Sequence, residues 1–180
     1  MSSLKNAYDR VSLSERGFIL RNLTTNGLIA GTQEAAVDGS VTPVKYYIQP
    51  LAGEVYILNT VSIVVSDGTS SVGLTDYGSI PGPLTNGIRF FSEKDGIETL
   101  LGLTFKSNQQ LVDLGPVRDR IRYNSIILSA YDFNINQYAD RGFLLNGNKN
   151  DKYGVIIQDD LSGLTSQTFA VKGSLRVRNI

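Results

Sequence analysis

The 180-residue chain contains no cysteine, no histidine and no tryptophan. Without cysteine it can form neither disulfides nor thiolate metal sites, so cysteine usage does not indicate a redox compartment. Histidine and cysteine supply the commonest general base, metal ligand and nucleophile of enzymes, so most familiar hydrolase mechanisms are excluded. We therefore expect a protein that is not an enzyme.

The sequence also lacks a charge excess and a long apolar run. Seventeen Lys and Arg residues balance seventeen Asp and Glu residues, so no overall field attracts the chain to nucleic acid or to an acidic membrane. No stretch approaches the roughly eighteen apolar residues of a membrane-spanning helix, and the N-terminus lacks the apolar segment of a signal peptide. We expect synthesis in the cytoplasm and binding to neither nucleic acid nor membrane.

Motifs for cofactors and catalysis are absent as well. There is no dinucleotide-binding glycine loop, no Walker loop and no Gly-x-Ser-x-Gly motif, so no cofactor is expected. Asp159 and Asp160 would point to opposite faces of a strand, which favours a solvated strand end over an acid-base pair or a cation site. The polar residues of 146–151 resemble a calcium loop but lack its opening Asp and distal Glu, so turn formation is the favoured interpretation.

What the sequence does contain is a repeated strand, turn, strand pattern. The segment VKYYIQ at 44–49, the turn at 50–53 and the alternating segment 55–65 predict a hairpin. A second hairpin is predicted around the turn at 146–152, and the last strand alternates apolar and polar residues. The short apolar run 97–105 favours a strand over the start of a helix.

Seven or eight such strands, without a convincing amphipathic helix, predict an all-β fold. The expected architecture is an antiparallel β-sandwich of the jelly-roll-like type over residues 36–180. Residues 1–35 lack a clean period and predict an N-terminal arm, which would dock on a neighbouring subunit or else form a loosely ordered end or an edge strand. Residues 66–83 predict a long exposed loop, either functional or a simple connection.

Candidate contact residues with other protein chains include a group of arginines. Arg118, Arg120 and Arg122 fall on one side of an extended segment that ends in Tyr123. These arginines could hold phosphate or a carboxylate-bearing partner, form salt bridges between subunits, or line an exposed strand face.

Apolar and aromatic residues supply the other candidates. Phe18 and Ile19 are the apolar residues with which the arm would contact a neighbour. The loop tyrosines Tyr77, Tyr123 and Tyr138 could stack on sugars or on protein, although each could equally pack locally.

Three segments resemble structural proteins of tailed-bacteriophage virions: DGSVTPVKYYIQPLAGEVY at 38–56, PLTNGIRFF at 83–91 and LLNGNKNDKYGVIIQDDLSGLTSQTFAVKG at 144–173. In that family an extended peptide with Pro-x-Gly and a strand, a central TNGI segment and a closing NGNKN hairpin recur on a jelly-roll-like sandwich. The matched residues belong to turns and strands and carry no catalytic role. The resemblance therefore implies a scaffold.

The resemblance implies a virion protein, assembled in the host cytoplasm and located in the particle. The first expectation is a capsid decoration (cement) protein that stabilises the shell as a homo-oligomer, with a trimer as the order considered. Its partners would be the major capsid protein or neck and tail proteins. A tail, neck or baseplate component is the alternative within this class, and a carbohydrate-binding module is the alternative from another class.

Overall fold

Residues 16–27, 32–68, 73–114, 117–123, 126–135 and 142–177 are described by the structure, a computed structural model. They form β-strands and one short α-helix, and the strands make two antiparallel sheets that pack against each other. The all-β sandwich predicted from the alternation of apolar residues is confirmed.

The larger sheet contains six strands: β1 (Arg16–Asn22), β3 (Glu54–Gly68), β6 (Val117–Tyr123), β7 (Ile126–Asn134), β8 (Phe143–Asn146) and β10 (Gln167–Val177). Their order is β1-β10-β3-β7-β6, and β8 pairs with the first part of β3. The 15-residue strand β3 is long enough for β8 and β7 to pair with it one after the other along the same side.

The smaller sheet contains four strands: β2 (Val44–Ile48), β4 (Ile88–Lys94), β5 (Ile97–Phe105) and β9 (Lys152–Ile157). Their order is β2-β9-β4-β5. The strand expected over 97–105 is confirmed, with an irregularity in its pairing to β4 between Arg89 and Phe91.

The strand order identifies the type of sandwich. The four strands β1-β10-β3-β7 of one sheet face β2-β9-β4-β5 of the other, and the chain crosses between the sheets after β1, β2, β3, β5, β8 and β9. The hairpins expected around 50–53 and 146–152 are therefore wrong, because each of these turns joins strands of different sheets. This interleaving of two four-stranded sheets is the order of a jelly roll. Strands β6 and β8 are additions to the larger sheet.

Aromatic and aliphatic side chains from both sheets fill the space between them. Phe105 of the smaller sheet lies 4.5 Å from Phe133 of the larger sheet and 5.6 Å from Phe90, measured between ring centroids. On β3 the inward residues Val61 and Ile63 are almost completely buried. Burial of apolar surface, at about 25 cal/mol per Å², is the main force that holds the two sheets together.

The N-terminal segment differs in part from the expected arm. Residues 16–22 form the edge strand β1, paired along its length with β10. Leu23 then donates its N–H to Phe169 O at 2.9 Å and Ala35 donates to Gln167 O at 2.7 Å. Of the interpretations considered for residues 1–35, the edge strand is therefore correct for 16–22, while 1–15 lie outside the described residues.

A short helix, α1 (Asn108–Leu114), was not predicted. Its seven residues make only two turns, which is too short to show a helical period in sequence. The side chain of Asn108, only 4% exposed, accepts the N–H of Gly78 at 2.7 Å and donates to Gly73 O at 3.0 Å. The helix thereby orders residues 73–83, so the described part of the expected exposed loop is anchored to the core.

Candidate functional site

Three turns from distant parts of the chain meet at one end of the sandwich. The first, 50–53, joins β2 to β3, the second, 95–96, joins β4 to β5, and the third, 146–151, joins β8 to β9. We call these residues, with the adjoining Ile97, the turn surface.

Direct hydrogen bonds connect the first and third turns. Gly53 donates its N–H to Asn148 Oδ1 at 2.8 Å, across 95 positions of the sequence. Next to the turn surface, Gln49 Nε2 donates to Asn150 Oδ1 at 3.1 Å. Because the turns hold one another, the end of the sandwich has one defined shape.

The third turn is built by its asparagines. Asn146 caps a short 3-10 turn at Gly147–Lys149, and its Oδ1 accepts the N–H of Asn148 at 3.1 Å. Asn150 closes the turn with a left-handed backbone, φ 56°, a conformation that asparagine adopts readily. The structure thus has the turn predicted for this segment. Within the described parts of the chain, no three His, Cys, Asp or Glu side chains lie together as a metal site would require.

Gly147 allows the first and third turns to touch. A Cβ atom at this position would lie 1.8 Å from the carbonyl oxygen of Leu51 and 3.0 Å from that of Pro50. Only glycine permits this approach, since real Cβ atoms do not come so close to backbone atoms. The contact between the turns therefore requires glycine at position 147.

An ammonium group ties the second turn to the third. Lys94, at the end of β4, donates to the carbonyl oxygen of Leu144 and lies 3.5 Å from Asp151 Oδ2 and 4.8 Å from the ring centroid of Phe143. Asp151 is 2% exposed, and its Oδ2 also accepts the N–H of Asn146 at 3.0 Å. The lysine thus supplies the positive charge that a buried carboxylate needs.

The turn surface exposes both apolar and charged side chains. Leu51 is 55% exposed and Ile97 is 70% exposed. Lys149 and Asp95 form an exposed ion pair at 3.0 Å. Protein interfaces combine apolar and polar residues, and a surface that is already ordered loses little entropy when a partner binds. The turn surface is therefore suited to binding a protein.

The arginine candidates lie elsewhere. Arg118, Arg120, Arg122 and Tyr123 belong to β6, the outermost strand on one side of the larger sheet, and the structure does not describe their side chains. They lie in one extended segment, as their sequence predicted. Their role as contact residues stays a prediction.

The two arm candidates lie at the opposite edge of the larger sheet. Ile19 on β1 is completely buried in the core of its own chain, so its side chain is not available to a neighbour. Phe18 is the register partner of Ser174 on β10, and its side chain is outside the described part. Since β1 and β6 are at opposite edges, the two candidate groups do not form one site.

Asp159 is not the solvated strand end that its sequence suggested. It is 8% exposed, and its carboxylate accepts the N–H groups of Thr85 at 2.9 Å, Asn86 at 3.1 Å and Gly87 at 2.7 Å. Three successive N–H groups that converge on one anion form a backbone nest. Only its neighbour Asp160 is exposed, where it accepts the N–H and hydroxyl of Ser162.

Tyr77 is not available for stacking on a sugar. Its side chain is completely buried, and its hydroxyl accepts a hydrogen bond from Gln167 Nε2 at 3.0 Å. Burial raises the pKa of Tyr77 well above the ordinary value for tyrosine. Tyr138, and the side chain of Tyr123, lie outside the described residues.

Comparison with known proteins identifies no relative: no protein-family model matches the sequence, and no curated protein matches it. Among the helical residues that the structure describes, none form a helix long and apolar enough to cross a membrane.

Proposed function

We propose that the chain is a structural protein of a tailed-bacteriophage virion, most simply a capsid decoration protein that acts as a homo-oligomer through contacts with other protein chains. The observation that carries the proposal is where the three segments that resemble virion proteins lie in the fold. Segments 38–56, 83–91 and 144–173 contain β2, β4 and β9, which are adjacent in the smaller sheet in the order β2-β9-β4.

The three segments also contact one another outside the strands. The turn 50–53 of the first segment binds Asn148 of the third. Residues 85–87 of the second bind Asp159 of the third. Short peptides that resembled a family by chance would have no reason to fall on neighbouring strands and to bind each other, so the arrangement supports one inherited structural unit.

The physical role follows from mass action. A decoration protein that binds only the assembled shell stabilises it by RT ln(1 + [L]/Kd), about 2.7 kcal/mol per site when the free protein is at a hundred times its Kd. The turn surface can supply such a contact, because Leu51 is exposed and the turn that carries it is held by its neighbours.

Purified particles released by bacteria that carry this gene provide the test. We expect the protein in their mass spectrum, and we expect particles without it to release their DNA at a lower temperature. Added wild-type protein should restore the temperature, whereas Leu51→Lys should bind less well. Val41→Lys is the matched control, since Val41 is 87% exposed and lies outside the turn surface.

Two results would contradict the decoration role. Particles that lack the protein and are equally heat-stable would remove the stabilising function, and cryo-electron microscopy density at the tail or neck would favour the tail component. Specific binding on a glycan array, with no binding to particles, would favour the carbohydrate-binding module.

A further inference from the structure

The end strands of the two sheets, β1 and β6 of the larger and β2 and β5 of the smaller, differ in how their free edges are protected. An exposed edge offers unpaired backbone N–H and C=O groups to another strand, and natural proteins protect such edges with covering segments or charged side chains. In the smaller sheet the edge of β2 is covered by residues 24–27. Thr24 and Tyr47 exchange backbone hydrogen bonds at 3.1 and 2.8 Å, and Gln49 donates to Gly27 O at 3.4 Å.

Both edges of the larger sheet carry arginines. Strand β1 contains Arg16 and Arg21, and β6 contains Arg118, Arg120 and Arg122. Like charges on paired strands oppose pairing, so the arginine content of these two strands disfavours pairing with a second copy.

The edge of β5 has neither protection. No described residue pairs with its outer side, and its nine residues, IETLLGLTF, include no Lys, Arg or Pro. Its single charged side chain, Glu98, is bound within the chain by Lys45 Nζ at 2.5 Å, with that ammonium 5.3 Å from the ring centroid of Phe91. Leu100 is 45% exposed and Ile97 is 70% exposed. A long apolar edge of this kind would promote aggregation if it stayed free.

We infer that β5 pairs antiparallel with β5 of a second copy, so that the two smaller sheets join into one sheet across a twofold axis. The charges favour a second copy as the partner. Antiparallel pairing centred on Gly102 places Glu98 of one copy opposite Lys106 of the other. The chain as a whole has no net charge, so two copies do not repel each other at long range.

This inference rests on the homo-oligomer in the proposed function and specifies its contact. A pair of identical edges is an isologous interface and produces a dimer. It would therefore give an even number of subunits, in contrast to the trimer considered from the sequence.

The absence of cysteine from the chain allows a direct test by single-cysteine crosslinking. Thr99→Cys and Gly102→Cys place one thiol on β5, on either side of residue 101, and a Cβ at Gly102 meets no atom within 4 Å. Leu74→Cys is the control, because Leu74 is 57% exposed on the 73–83 loop. Pairing of Glu98 with Lys106 places the twofold axis at Gly102, so only position 102 lies opposite itself. After mild oxidation we expect a disulfide-linked dimer from Gly102→Cys and none from Thr99→Cys or Leu74→Cys.

Sedimentation velocity over a range of concentrations tests the same contact without crosslinking. We expect the wild-type protein to sediment as a dimer and Leu100→Lys to raise the dimer dissociation constant about tenfold or more, because a charged side chain would replace an apolar one at the contact. Leu74→Lys should leave the constant unchanged. Circular dichroism verifies that each variant is folded.

A wild-type protein that is monomeric at all concentrations, or crosslinking no better from position 102 than from position 74, would overturn the inference. If such a monomer still bound particles, the proposed function would stand and only the β5 contact would fail. If a β5-linked dimer did not bind particles, the contact would stand and the decoration role would fail. Ile97 belongs both to the β5 edge and to the turn surface. It is therefore left unchanged in the variants that test either contact, so that each variant affects one contact alone.

Discussion

Removal of the Asp159 carboxylate should detach the loop that leads into β4. The N–H groups of Thr85, Asn86 and Gly87 all bind this one carboxylate. Of the three residues, only Gly87 is buried, while Thr85 and Asn86 are exposed. When the carboxylate is removed, water can therefore reach two of the three donors, and the Gly87 N–H keeps no acceptor.

The loss of folding free energy on removing the Asp159 carboxylate can be derived from these contacts. A buried donor without a partner costs about 1–3 kcal/mol, and hydrogen bonds to a charged group contribute about 1.5–3 kcal/mol each when water cannot replace them. Because the two exposed donors recover most of their loss, we expect Asp159→Ala to lower the free energy of unfolding by about 2–4 kcal/mol. Asp159→Asn retains one acceptor oxygen without the charge and should cost about 1–2 kcal/mol.

Urea unfolding followed by circular dichroism measures these differences. With a slope of about 2 kcal/mol per molar urea, Asp159→Ala should lower the midpoint by about 1–2 M. Asp160→Asn is the matched control, because Asp160 is exposed and its carboxylate accepts hydrogen bonds from Ser162 within its own turn. Equal midpoints for the Asp159→Ala and Asp160→Asn variants would show that the backbone nest does not stabilise the fold.

Three further predictions concern other parts of the structure. Gly147→Ala should destabilise the protein by about 2–4 kcal/mol through a clash between backbone and Cβ, whereas Gly102→Ala, which meets no atom, should change the unfolding midpoint little; equal effects would refute the tight turn contact. Asn108→Ala should accelerate limited proteolysis within 73–83, mapped by mass spectrometry, and an unchanged cleavage rate there would contradict its anchoring role. Burial raises the pKa of Tyr77 above 10.0, so the unfolded state loses the hydroxyl proton at a lower pH than the folded state. The contribution of Tyr77 to the free energy of unfolding should therefore be complete below pH 10 and fall above it. In a pH series of urea midpoints, Tyr77→Phe should reduce this fall.

Sequence was sufficient for features that depend on neighbouring residues. Strand alternation predicted the strands β2 and β3 and the strand 97–105, because successive side chains of a strand point to opposite faces. The two hairpins expected from the sequence were wrong, because β2 and β3 belong to different sheets, as do β8 and β9. Asparagine and glycine predicted the turn at 146–151 for a similar reason, since they tolerate the backbone angles it requires. The seven-residue helix α1 was missed because two turns carry no detectable period.

Features that depend on residues distant in sequence were not predictable. The sequence predicts that Asp159 and Asp160 form one polar strand end. The fold instead buries the Asp159 carboxylate against residues 85–87 and leaves that of Asp160 in solvent. Tyr77 reads as a loop residue, but the anchoring of 73–83 by Asn108 brings it into the core. For the same reason the turn surface could not be recognised: the turns at 50–53 and 146–151 were predicted, but not that they would meet each other and the turn at 95–96.

The sequence by itself determined that the chain is an all-β sandwich, because apolar alternation and turn residues act over a few positions, and it determined that the usual histidine and cysteine chemistry is impossible. Only the tertiary structure decided which strands become neighbours, which edge is left unprotected and which charges are buried. These properties depend on register and on contacts between residues far apart in sequence, as between Gln167 and Glu34, which are 133 positions apart. For the same physical reason, the surfaces through which this protein would bind its partners emerge from the fold and not from any one segment.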